Sequence, residues 1–191
     1  MSDPATVESL REEIRDLRSR LDRLESGGDP ARDDSVSIVC FSGEWDRLYA
    51  AFTIANGALA LGQEVHMFFT FWGATAVRRK GGGPALKRHW MQRMMGRMLP
   101  ADIHAARLSK MHFFGLGKWM MRLLMKQKDI ADLPQLMNEA RELGARFYYC
   151  DTSLSLFGWN NADLVDGDDS EWCGVSTFLA KSLKSRVTLF I

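Results

Sequence analysis

The sequence predicts an α/β domain built on a mostly parallel open sheet, preceded by a coiled-coil helix. Three observations carry that prediction. An apolar run, a helix-length segment and a second apolar run follow one another across residues 35–71, and a strand, crossover helix and strand in that order pair in parallel with a right-handed crossover. Another helix-length segment at 130–143 leads into a short apolar run at 146–150, which repeats the pattern. Upstream, Val7, Leu10, Ile14, Leu17, Leu21 and Leu24 follow the 3-4 spacing of a coiled-coil seam, with charged residues between them.

The seam is short. Two and a half heptads are marginal as an isolated helix in water, so this stretch needs a partner, either another copy of the chain or the domain body. Ser26-Gly27-Gly28-Asp29-Pro30 breaks the helix and links it onward. The expected division is residues 1–34 as helix and linker, and 35–191 as the α/β domain with a lid at about 72–128.

Within the domain, Ser35-Val36-Ser37-Ile38-Val39-Cys40-Phe41 reads as a buried strand, and Ser42 as the N-cap of a helix over about 44–61. Gly62 ends that helix, and the next strand is expected over 64–71. Trp72-Gly73 then opens a long insertion punctuated by Gly81-Gly82-Gly83-Pro84, Pro100 and Gly115-Leu116-Gly117, which reads as short helices and loops forming a lid. The helix at 130–143 stops at Gly144. After the 146–150 strand, residues 152–158 read as a helix or tight turn, 160–171 as an acidic loop, 172–184 as the last helix and 186–191 as the last strand. No internal repeat is evident.

Charge is distributed unevenly. The formal net charge is +1, yet residues 72–128 hold thirteen Lys and Arg against the single acid Asp102. A one-sign field of about +12 implies an anionic partner or an acidic surface elsewhere in the assembly. The same segment is rich in Met and aromatic side chains, which suits packing or partner docking, and Lys118 to Lys126 would form a basic amphipathic helix suited to a membrane surface. No recognised nucleic-acid module accompanies the charge, so nucleic acid is not an expected partner.

Cys40, Cys150 and Cys173 are an odd number with no close pair, and no basic-then-apolar leader precedes them, so reduced thiols in a cytoplasm are expected. The longest apolar stretches fall short of the roughly 20 residues a spanning helix needs. His66, His89, His104 and His112 lack ligand spacing, and no HExxH, GxxxxGK[ST] or GxGxxG motif occurs, so neither a metal nor a nucleotide cofactor is expected.

Cys150 is the chief candidate for chemistry. It ends a strand and is followed by the helix-starting Asp151-Thr152-Ser153, where ligands collect in open α/β sheets and helix N–H groups favour a thiolate. Asp151 works against the thiolate, and the lid's cations would have to offset it. The plainer reading is a buried structural cysteine. Cys40 also ends a strand; if the first and third strands are neighbours it faces Cys150 across the top of the sheet as a candidate second thiol, and equally it could point into the core. Cys173 would open the last helix.

Phe68-Phe69-Thr70-Phe71-Trp72-Gly73, Leu108-Ser109-Lys110-Met111 with Gly115-Leu116-Gly117, and Tyr149-Cys150-Asp151-Thr152-Ser153-Leu154 before Gly158 resemble the DsrE/DsrF-like sulfur-relay family, in its larger-lidded branch often labelled peroxiredoxin-like. The resemblance runs from about residue 36 to 191. It implies a three-layer α/β/α domain with helices on both faces of the sheet, assembled as a homo-oligomer. It also implies a cysteine, here Cys150, that carries sulfur as a persulfide and passes it by thiol exchange. No peroxidatic TxxC arrangement is present. The expected partners are a sulfur donor (thiosulfate, polysulfide or a persulfide protein) and an acceptor protein thiol, with Arg78, Arg79, Lys80 and Lys110 as candidate anion-binding cations. A homo-oligomer, dimer or trimer, is expected in either case, and the alternative function is a non-enzymatic oligomeric adaptor that docks a membrane surface or a partner protein through the basic Met-rich lid.

Overall fold

A computed structural model describes residues 11–20, 33–80, 89–111 and 113–191. The chain divides into two compact units, Met1–Asp33 and Asp34–Ile191. In the first, residues 11–20 form helix α1, on which Ile14 and Leu17 are about half exposed. The other seam positions Val7, Leu10, Leu21 and Leu24, the break at 26–30 and the glycine run at 81–83 lie outside the described residues.

The second unit is a sheet with helices on both faces. Its strands are β1 (Asp33–Cys40), β2 (Glu64–Phe69), β3 (Arg146–Cys150), β4 (Glu171–Cys173) and β5 (Ser185–Phe190), in the order β4-β3-β2-β1-β5. The ladders β1–β2, β2–β3 and β3–β4 are parallel. Ser185 meets Ser35 and Ser37 while Ile191 bonds Val39 and Phe41, so β5 runs parallel to β1 as well. All the carboxyl ends therefore emerge on one rim.

Side-chain alternation sorts the residues between two layers. Val36, Ile38 and Cys40 of β1, Met67 and Phe69 of β2 and Phe147 and Tyr149 of β3 join the main core. Helix α2 (Trp45–Ala60) covers that face with Trp45, Leu48, Ala51, Phe52, Ala55 and Ala58, a 3-4 stripe, and packs beside α5 (Leu133–Glu142). Phe68, Tyr148, Cys150 and Cys173 point the other way and meet Phe178 of α7 (Val175–Ser182), which stacks on Phe68 with ring centroids 4.7 Å apart. Toward β1 the same face is polar, and its serines satisfy one another: Ser185 Oγ lies 3.0 and 2.8 Å from the hydroxyls of Ser35 and Ser37.

The long insertion contains α3 (Trp90–Met98) and α4 (Leu116–Gln127). It is more than a lid, because Ile103, Ala106 and Met125 are buried in the main core. Its attachment uses the Leu108-Ser109-Lys110-Met111 stretch: Ser109 donates to both Asp46 carboxylate oxygens, at 2.8 and 2.5 Å, at the start of α2.

Three local expectations are corrected. Residues 172–184 are not one helix. Residues 171–173 form β4 against β3, and α7 begins only after Gly174, because a three-residue strand is too short to show a period while its edge ladder supplies the pairing. Ser42 is not the N-cap of α2. Glu44 holds that position, and Ser42 Oγ accepts the Glu44 N–H at 3.2 Å in a turn just before it. The second strand ends at Phe69, where Thr70 leads into a 3-10 turn over Phe71–Thr75.

Candidate functional site

The site is built where β2, β3 and β4 end side by side. Cys150 closes β3 and occupies the N-cap of α6 (Asp151–Phe157), with extended backbone angles that turn the chain into the helix. Its thiol belongs to the α7 face of the sheet, and the residue is 7% exposed. On one side the chain leaving β2 brings Thr70. On the other, β4 brings Cys173 into register with Cys150.

Hydroxyl groups surround the thiol. Ser153 Oγ, in the first turn of α6, lies 3.0 Å from Thr70 Oγ1 and accepts the Phe71 N–H at 2.9 Å. That N–H is aimed at Ser153 because Phe71 adopts φ 44°, the left-handed region, which costs a non-glycine residue roughly 1–3 kcal/mol. Gly73 lets the same turn lie on the end of β1: a Cβ there would stand 2.0 Å from the Cys40 carbonyl oxygen. The Phe68-Phe69-Thr70-Phe71-Trp72-Gly73 stretch thus places a hydroxyl and an amide beside the cysteine.

The three thiols meet different electrostatics. Burial pushes the Cys150 thiol up, but hydrogen bonds from the Ser153 and Thr70 hydroxyls and the backbone N–H groups of Ser153 and Thr152 outweigh it and leave the thiol below its usual range. Burial pushes the Cys173 thiol up to about 11, helped by Glu171, Cys150 and Asp151 and opposed by Lys181. Cys40 is 1% exposed, and burial alone drives its thiol far above the ordinary range. Of the three, Cys150 is the one whose thiol is shifted toward the thiolate.

Of the two places open to Cys40, it takes the core and does not face Cys150. Strand β2 lies between β1 and β3, and the two sulfurs point into opposite layers. The thiol beside Cys150 is Cys173, whose position depends on the unforeseen β4.

The lid cations do not gather at the thiol. Arg78 and Arg79 lie along the loop after α6: the Arg79 N–H donates to the Asp163 carbonyl at 2.7 Å, and the Arg78 guanidinium sits 4.9 Å over the Trp159 ring. Lys80 is exposed, and exposed Lys110 lines a groove with Met111, Gly117, Met120 and Leu124 on the far side of α2's first turn. Hydroxyls and amides, with no lid cation among them, hold the thiol down against its burial, and the Asp151 carboxylate accepts the Thr152 N–H at 2.6 Å. The cation that acts on Cys173 is Lys181 of α7, with its ammonium 5.2 Å over the Tyr148 ring. Thr70 and Ser153 lay inside the quoted motifs, so their presence was visible but not their convergence. Lys181 carried no signal in the sequence.

Further from the thiol, Tyr149 is fully buried and donates its hydroxyl to Asp166, which Arg141 also bonds at 2.5 Å, and this ties the acidic loop to the sheet. Among the described residues no group of three His, Cys, Asp or Glu is placed to hold a metal ion, and no helix is long and apolar enough to cross a membrane.

Residues 32–190 match the DsrE/DsrF/DrsH-like family. The chain is 39% identical over 156 residues to the uncharacterized protein YrkE of Bacillus subtilis, covering 82% of this chain and 96% of that protein. It is 28% identical over 163 residues to the sulfur carrier protein DsrE2 of Allochromatium vinosum, covering 82% and 97%. The chain belongs to the DsrE/DsrF/DrsH-like family.

Proposed function

We propose that this chain is an intracellular sulfur carrier or sulfurtransferase that holds sulfane sulfur as a persulfide on Cys150 and passes it to a protein thiol. The observation that carries this reading is the setting of Cys150: a thiol under thin cover at a strand terminus, held low by two hydroxyls and two backbone N–H groups. Kinship with a sulfur carrier protein supports the same role. Thiol exchange proceeds through the thiolate, so a lowered value raises the reactive fraction near neutral pH, and the low-basicity sulfur also leaves readily when an acceptor attacks the outer atom. Thiosulfate, polysulfide and a persulfide protein are the donors considered. Incubating the reduced protein with each, with Cys40, Cys150 and Cys173 replaced singly, is expected to add the mass of a sulfur atom that disappears with Cys150→Ser. An adduct that survives Cys150→Ser removes this assignment.

A second reading is favoured by the outer face of α4. Leu116, Trp119, Met120, Leu123 and Leu124 are all exposed there, next to Phe114, which has no cover. An apolar helix face flanked by Lys and Arg fits a docking element for a membrane surface or partner protein. Part of the charge is already engaged, since Arg122 pairs with Asp132 at 2.7 Å and Lys118 donates to the His104 and Ala106 carbonyls at 2.6 Å. Flotation with anionic liposomes tests the membrane form, and protein that stays at the bottom of the gradient counts against it. A pure adaptor would tolerate Cys150→Ser and fail when Trp119, Met120 and Met121 are made polar.

A further inference from the structure

We propose that Cys173 is the resolving thiol of this site, closing on Cys150 to discharge its sulfur as hydrosulfide and leave a Cys150–Cys173 disulfide. The proposal deepens the sulfur-carrier reading and rests on it. Geometry carries it. The two residues are register partners at the ends of neighbouring parallel strands. Adjacent strands run about 4.8 Å apart, inside the roughly 4.4–6.8 Å Cα separation that a disulfide spans. Both side chains leave the same face of the sheet into one small cluster with Phe68, Tyr148 and Phe178, and both are 7% exposed, so a small sulfur species that reaches one reaches the other. Cys40 is excluded by its place in the opposite layer.

The chemistry balances without an outside oxidant. Cys173 gives up its proton, and its sulfur attacks Sγ of the Cys150 persulfide. The bond between Sγ and the outer sulfur breaks, and its electron pair leaves with that atom, which takes the proton to depart as hydrogen sulfide or hydrosulfide. The sulfane sulfur is reduced, and the two cysteine sulfurs are oxidised to the disulfide. A dithiol reductant then restores both thiols.

The surroundings of Cys173 make this route slow at neutral pH. Burial first, and then Glu171 on its own strand, Cys150 on β3 and Asp151 on α6, disfavour its thiolate, and Lys181 on α7 is the opposing cation. A loaded Cys150 therefore persists long enough to meet an acceptor, and closure speeds up about tenfold per pH unit as the Cys173 thiolate fraction rises.

The test uses the full chain, reduced, then treated with inorganic polysulfide, freed of excess and followed by intact mass, released sulfide and non-reducing peptide mapping. The wild type is expected to gain one sulfur atom on Cys150. It then falls to a mass two hydrogens below the reduced protein, with one sulfide released per chain and a linked Cys150–Cys173 peptide. Cys173→Ser is expected to keep the adduct about tenfold longer or more and to release no sulfide, and Cys173→Ala repeats the measurement should the serine disturb the cluster. If the adduct decays equally fast in wild type and both variants, or the linked peptide is absent, the resolving role is overturned while the carrier reading stands. If Cys150 gains no sulfur in any of the three proteins, the carrier reading falls and the discharge step falls with it.

Discussion

Ser153 decides what Cys150 can do. Its hydroxyl lies 3.0 Å from Thr70 Oγ1 and accepts the Phe71 N–H at 2.9 Å, and it lowers the Cys150 thiol. Removing a hydrogen-bond donor to the charged form disfavours that form, so Ser153→Ala is expected to raise the Cys150 thiol. The pH profile of iodoacetamide alkylation at Cys150 measures this, with Thr70→Ser, which keeps a hydroxyl, as the neutral control. Cys40 leads to a prediction about stability. Its folded-state value is raised by burial, so its contribution is fully present below the unfolded thiol value of about 8.5 and is lost as the pH rises toward the folded value. Urea midpoints are therefore expected to fall between about pH 8.5 and 10.5 in the wild type, by up to roughly 1.4 kcal/mol per pH unit from this group. Cys40→Ala removes that slope, at the cost of a lower midpoint at neutral pH from the cavity it leaves.

At the scale of elements, two junctions hold the site. The turn after β2 lies on the end of β1, with the Gly73 N–H bonded to the Phe41 carbonyl at 2.8 Å and the Thr70 N–H to the Cys40 carbonyl at 3.1 Å. Gly73→Ala drives a methyl into that backbone, so the turn must lift and carry Thr70 away from the thiol. Slower alkylation of Cys150 together with a lower melting temperature is the expected result. The second junction joins α6 to the insertion. Gln92 of α3 donates from Nε2 to the Ser155 and Leu156 carbonyls at 3.2 and 3.3 Å, capping the end of α6, where Gly158 takes φ 67°. Gly158→Ala carries a left-handed penalty of about 1–2 kcal/mol and also strikes the Gln92 side chain, so faster hydrogen exchange over 151–157 should follow. Gln92→Ala isolates the cap from the backbone strain.

For the whole molecule, the unevenly covered sheet matters most. The main core lies on the α2 and α5 side, while the other face carries α7 as its described cover beside a polar floor. Along α7 the residues Val175, Leu179 and Leu183, spaced four apart, are 61%, 50% and 79% exposed, and Val187 and Phe190 of the edge strand β5 are exposed as well. Parallel sheets are ordinarily covered on both faces, and apolar residues aligned in this way suit a contact between copies of the chain. A homo-oligomer using this stripe is expected to drop to lower molar mass in light scattering when Leu179 and Leu183 are both made Glu. An unchanged mass would place any assembly elsewhere.

Much of this was legible in the linear sequence, because strands and helices announce themselves by period. The 3-4 stripe from Trp45 to Ala58, the apolar runs ending at Cys40, Phe69 and Cys150, and the glycines that stop helices are local properties, and they determined the parallel α/β class and the place of Cys150 at a strand terminus. Strand order is not local. Only the tertiary structure decided that β2 separates Cys40 from Cys150, that three residues after an acidic loop add a strand instead of a helix, and that Cys173 therefore stands beside Cys150. The physical reason is that β4 draws its stability from the ladder it forms with β3, a pairing between residues more than twenty positions apart that no pattern within either segment encodes.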